Sequence, residues 1–189
     1  MVRTAALFVI VVALAGCANG KRSTTTTAST QTTATQVTTS SSTPACTTAG
    51  LAVWLGLGEG GGAAGSTYYP LEFTNVSGHA CHLFGYPGVS ARDGHQLGSP
   101  AGRSSAPEHT IVLAKSATAH AFMQITDVAN FSPSTCAPVT AGELNVYPPN
   151  QLSAKPIPFS FRACSKTGPV FLSVQPVQPG VGIPGYPNL

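Results

Sequence analysis

The sequence is short of charge. Only 8% of its residues are Asp, Glu, Lys or Arg. The net charge of +3 belongs to Arg3, Lys21 and Arg22 near the N-terminus. From Cys46 onward, six basic residues (Arg92, Arg103, Lys115, Lys155, Arg162, Lys166) face six acidic ones (Glu59, Glu72, Asp93, Glu108, Asp127, Glu143). Nucleic-acid binders concentrate positive charge because phosphate contacts dominate their affinity, so no nucleic-acid partner is expected. No window carries the three-to-four spacing of an amphipathic helix. No apolar run approaches the ~20 residues that a membrane-spanning helix needs. There is no Gly-x-Ser-x-Gly elbow and no paired-carboxylate pattern, so no catalytic residue is assigned.

What the chain does have is Gly and Pro, 36 residues together, a composition suited to turns between short strands. It also has a leader. Arg3 supplies a positive start, and Ala5 to Gly16 is an unbroken run of apolar and small residues. That length fits the apolar core of a signal peptide, which would occupy residues 1–16. The run ends Leu14-Ala15-Gly16-Cys17, which resembles a bacterial lipobox. Cys17 offers a thiol for a diacylglycerol thioether, and Ala15 and Gly16 are small enough for a peptidase cleft. Two or three acyl chains would anchor the chain stably where one would be marginal. The expected location is the extracytoplasmic face of the cell membrane.

Residues 17–45 follow as a tether. Of the 28 residues from Ala18 to Ala45, 16 are Ser or Thr, and Val37 is the one large apolar residue. Such a segment cannot bury enough surface to fold. As a random coil it would hold a domain on the order of 30 Å from the membrane. Its Thr runs are also acceptors for O-linked sugar, and the residues leave modified and unmodified readings open.

From Cys46 to Val177 the text alternates. Leu51, Val53, Leu55 and Leu57 share one strand face; Tyr69, Leu71 and Phe73 share another. Further strands are expected at Cys81–Phe84, Thr110–Leu113, Ala117–Thr126, Glu143–Tyr147, Ile157–Phe161 and Val170–Val174. Turn residues separate them at Asn75–Gly78, Gly85–Gly88, Asp93-Gly94 and Pro148-Pro149. The fold class is therefore all-β, a sandwich of antiparallel sheets. Pro158 has no amide hydrogen to give, so its strand belongs at an edge. The Pro/Gly-rich tail, residues 178–189, is expected to be extended and partly disordered.

Five cysteines is an odd number. With Cys17 assigned to lipid, Cys46, Cys81, Cys136 and Cys164 remain for two disulfides, with three connectivities open. Sequential pairing, Cys46–Cys81 and Cys136–Cys164, joins neighbouring elements and is the expected one.

The order of these residues resembles an exported actinobacterial domain, the domain-of-unknown-function 4232 family. The resemblance lies in Cys46, then Leu71-Glu72-Phe73-Thr74-Asn75, then Cys81-His82-Leu83-Phe84-Gly85-Tyr86-Pro87-Gly88-Val89, a later Val146-Tyr147-Pro148-Pro149 and a last Cys164. It implies an Ig-like sandwich, often lipid-anchored or membrane-tethered, and no established catalytic residues.

Gly56 to Gly61 matches G-x-G-x-x-G, but the helix and the acidic residue that a dinucleotide site needs do not follow, so it reads as a glycine loop. His79, Cys81 and His82 are close in sequence, yet a strand turns residue 82 away from 79 and 81. Cys81 is expected to be oxidised, and no metal or other cofactor is assigned. Trp54, Tyr68, Tyr86 and Phe122 are candidate binding aromatics. Trp54, Tyr68 and Phe122 fall opposite the Leu55, Tyr69 and Met123 rows. Such a row either faces water, where it suits recognition of a wall glycan, an envelope lipid or an exported protein, or is covered in a central strand. The functional expectation is a non-enzymatic binding module. The alternatives are an envelope hydrolase with a loop-built site using His79, His82 and Asp93, or a scaffold of a membrane complex.

Overall fold

The computed structural model describes residues 42–56, 62–63 and 65–182. The leader, Cys17, the tether up to residue 41, the glycine loop 57–61 and the last residues, 183–189, lie outside the described residues. Among the described residues, no helix is long and apolar enough to cross a membrane.

In chain order the strands are β1 (Leu51–Leu55), β2 (Gly62–Ala63), β3 (Ser66–Asn75), β4 (Cys81–Phe84), β5 (Gly88–Asp93), β6 (His95–Leu97) and β7 (Gly102–Arg103). Then come β8 (Thr110–Leu113), β9 (Thr118–Thr126), β10 (Pro138–Tyr147), β11 (Lys155–Cys164), β12 (Leu172–Val174) and β13 (Gln178–Pro179). Among the described residues, helix is confined to a 3-10 turn, Val128–Asn130, and one turn of α-helix, α1 (Pro133–Cys136). Ser132 caps α1 with its hydroxyl, and Pro133 sits at the first position, where its missing amide hydrogen has no helical partner to lose.

One sheet runs β1-β3-β9-β12-β7, with β2 added to β3 and β13 to β9. The second runs β11-β10-β5-β6, and β4 pairs β8 in a two-stranded ribbon. The sheets pack as a sandwich around one core. The alternation explains which residues enter it. Leu71 and Phe73 of β3, Met123 of β9, Leu144 and Val146 of β10 and Leu172 and Val174 of β12 are all fully buried. The Pro158 strand, β11, is an edge, as a residue without an amide hydrogen requires. The disulfides are Cys46–Cys81 and Cys136–Cys164, the sequential pairing.

Three features depart from the expectation. β12 and β7 pair in parallel over two residues, so the sheets are not wholly antiparallel. β5 carries no strong apolar alternation, because Val89, Ser90 and Ala91 are buried on both faces of an inner strand and small residues suffice there. The start of the tail is also docked. Val177 is buried and donates its amide to the Gly85 carbonyl at 2.9 Å. Gln178 and Pro179 then pair with His120 and Ala119 of β9.

Candidate ligand-binding cleft

Three of the four candidate aromatics, Trp54, Tyr68 and Phe122, share the outer face of the first sheet, on the side away from the Leu55, Tyr69 and Met123 rows, and Tyr86 lies elsewhere. Trp54 is 44% exposed on β1, an edge strand, and donates its indole N–H to the Thr74 hydroxyl at 3.4 Å. Tyr68 is half-buried opposite Gln124. Phe122 is buried edge-on against the His120 ring, with centroids 5.1 Å apart. It sits on β9, an inner strand whose outer side is partly overlaid by the tail, for Gly182 lies against His120. Tyr86 is buried too. Its hydroxyl lies 2.7 Å from the carbonyl oxygens of both Ser104 and Ala106, and the Arg103 guanidinium sits 5.5 Å over its ring. Tyr86 is thus a packing residue that holds the 104–106 segment. Only Trp54 and Tyr68 of the four reach solvent.

The residues of the hydrolase alternative sit on separate elements. His79 is in the exposed loop before β4. His82 lies in β4 with Nδ1 2.8 Å from the Thr43 carbonyl, and Asp93 is at the β5–β6 hairpin tip. No hydrogen bond joins the three. Among the described residues, no three His, Cys, Asp or Glu side chains converge as metal ligands would.

A different place gathers chemistry. Where β3 begins and β9 ends, a cleft of about 520 Å³ opens, lined by Gly65–Thr67, Tyr69, Ile125–Val128, Phe161 and Arg162. Tyr69 is the outermost aromatic of the inward row of β3. Phe159 of β11 meets it edge-on at 5.1 Å and stacks on Phe161 at 5.4 Å. Period-2 spacing puts the two phenylalanines on one side of β11. The β10–β11 ladder slips between Ala141 and Glu143, a bulge opposite Phe159 and Ser160. Bulges bend a strand and re-aim its side chains.

The polar wall is built just as locally. Asp127 follows β9 and caps the 3-10 turn, accepting the Ala129 amide at 2.9 Å. Its own amide donates to the Gly65 carbonyl at 2.8 Å, and the Asn130 side chain donates to the same carbonyl at 3.1 Å. Gly65 has φ +80°, and a Cβ there would fall 2.5 Å from Asn130 Nδ2, so this corner admits glycine alone. Gln124 donates to the Ser66 hydroxyl at 2.9 Å. Arg162, exposed on β11, reaches the Thr140 hydroxyl at 3.5 Å. The cleft therefore offers an aromatic wall, hydroxyls from Ser66, Thr67 and Thr126, one carboxylate and one guanidinium. Sequence reasoning passed over these residues. The one signal was Phe159-x-Phe161, which reads as an ordinary core row.

A family model described as Domain of unknown function (DUF4232) matches residues 46–178. No curated protein and no solved structure matches the chain.

Proposed function

Since the chain belongs to the DUF4232 family, whose description assigns no activity, we propose a reading from its own geometry: a non-enzymatic binding module, displayed on the cell envelope by a lipid anchor at Cys17. The cleft beside Tyr69, Phe159 and Phe161 carries this reading. A partly exposed aromatic wall flanked by hydroxyls, Asp127 and Arg162 suits an uncharged, hydroxyl-rich ligand. Sugar rings present C–H faces to aromatics and hydroxyls to polar groups, so a wall glycan fits best among envelope ligands. The Thr/Ser tether supports the same view, because reach raises the effective concentration of the module near the wall.

The test is titration of the purified protein with soluble wall-glycan fragments. Binding is expected, with no turnover of ester, amide, phosphate or glycoside probes. Arg162→Ala, an exposed position, and Phe161→Ala should each weaken binding about tenfold, near 1.4 kcal/mol, with the fold unchanged by circular dichroism. Equal affinity in both variants would remove the cleft from the proposal. Turnover lost in His82→Ala or Asp93→Ala would replace the binding module by the hydrolase.

The anchor has its own test. Cys17→Ala should abolish lipidation and move the protein from the detergent phase to the aqueous phase on membrane partitioning. A variant that still partitions with detergent as the parent does would refute the lipid anchor.

A further inference from the structure

Glu72 takes no part in the cleft beside Tyr69. It stands on the outer side of β3, opposite Trp54 of β1 and His120 of β9. An outward carboxylate should be wet, yet Glu72 is fully buried. Its cover is the tail. The Gly182 amide donates to Glu72 Oε1 at 2.9 Å, and Oε2 has no partner among the described residues. Beside it, His120 Nδ1 donates to the Gly180 carbonyl at 3.0 Å, and the Gly180 amide donates to the Thr118 carbonyl at 3.0 Å.

These residues hold on by main chain alone. Gly180 and Gly182 have no side chain, and Val181 is 58% exposed. A Cβ on Gly182 would fall 2.6 Å from Pro70 Cβ and 2.9 Å from His120 Cδ2, so only glycine seats this closely. Hydrophobic burial, the usual adhesive, contributes little here. The seat depends on whether a carboxyl group with one unmatched oxygen tolerates being covered.

We propose that residues 180–182 form a proton-controlled strap: seated over Glu72 while its carboxyl carries a proton, released when it ionises, so that Glu72 and His120 become open to ligands. The groups facing Glu72 decide the sign. His120 is the titratable neighbour on β9, β1 offers Trp54, Gly56 follows β1, and the strap carries no ionisable side chain. Among the described residues the one ion pair is Arg92–Glu143, so no cation neutralises Glu72 there. Loss of water raises the Glu72 pKa from 4.5 to about 7, and the Gly182 amide, which favours the charged form, offsets only part of that. The seated state thus binds the proton more tightly than the released state. Seating is fully favoured below pH 4.5, weakens as the pH rises from 4.5 to about 7, and changes no further above that.

Amide exchange at Gly182 in the full-length protein reads this directly. After correction for the intrinsic pH dependence of exchange, protection should fall on the order of 100-fold between about pH 5 and about pH 8. Glu72→Gln keeps an acceptor and cannot ionise, so its protection should stay flat. His120→Gln removes the neighbouring imidazole and should retain the fall. Gly182→Ala should be unprotected at both pH values. Equal protection at both pH values in the parent, or the parental fall persisting in Glu72→Gln, would overturn the proposal.

Discussion

Asn75→Ala should lower the stability of the domain by about 3 kcal/mol, a large share of the roughly 5–15 kcal/mol that holds a domain of this size. Asn75 ends β3 and is fully buried. Its Nδ2 lies 2.9 Å from the His79 carbonyl, 3.1 Å from that of Leu113 and 3.2 Å from that of Ala114. Its Oδ1 accepts the Ser77 amide at 2.9 Å and the Ser77 hydroxyl at 2.7 Å. One side chain thus ties the end of β3 to the turn that follows it and to the exit of β8. Truncation strands an amide and several carbonyls in a place that water reaches poorly, and each such group costs about 1–3 kcal/mol. Asn75→Asp should be worse at neutral pH, since an ionised carboxylate would face three carbonyl oxygens with no hydrogen to give. Urea unfolding followed by circular dichroism measures both. A midpoint in Asn75→Ala within a few tenths molar of the parent would mean that the turn is held by its backbone alone.

Asn75 also shows what could and could not be read in advance. The Leu71-x-Phe73 alternation placed two side chains in the core, because a strand with one wet face must alternate. It could not show that Asn75 was a clamp, since its partners at 113 and 114 arrive 38 and 39 residues later. The Gly85–Val89 segment is similar. Tyr86 looked like an exposed aromatic, yet its hydroxyl serves carbonyls 18 and 20 residues away. Glu72 is the extreme case, for its cover comes from Gly182, 110 residues on. The Phe159 and Phe161 row was legible as a row. That it ends at an open edge of the sandwich, beside Asp127 and Arg162, depends on how two sheets meet, and one-dimensional periodicity carries no such information. What the residues did settle locally was strand chemistry, including the edge position demanded by Pro158 and the sequential pairing of four cysteines.

Removing the disulfides should have the largest effect on stability. Cys46–Cys81 spans 35 residues and Cys136–Cys164 spans 28. On the chain-entropy model each restricts the unfolded chain by about 4 kcal/mol, so losing both approaches the whole stability of a small domain. The two should nevertheless fail differently. Cys136 and Cys164 are completely buried, and they join the end of α1 to the end of β11. The Lys166 amide donates to the Cys136 carbonyl at 3.3 Å beside them. Replacing that pair by alanine should loosen the core and lower the midpoint of global unfolding. Cys46 stands near the start of the described residues, just after the Thr/Ser-rich segment of the sequence. Its amide donates to the His82 carbonyl at 2.9 Å, and the His82 amide donates to the Pro44 carbonyl at 2.8 Å. Those two hydrogen bonds and the disulfide clip residues 44–46 to β4. Any pull on the chain from its N-terminal side therefore reaches a covalent link before it reaches β1. In the Cys46→Ala/Cys81→Ala variant, proteolysis should begin near residues 44–50, at protease concentrations that leave the Cys136→Ala/Cys164→Ala variant uncut there. Digestion timed by mass spectrometry, at a temperature where both variants remain folded, separates the two. Cleavage appearing first near 137–165 in the Cys46→Ala/Cys81→Ala variant would mean that this bridge supports the core and not the segment that leads into β1.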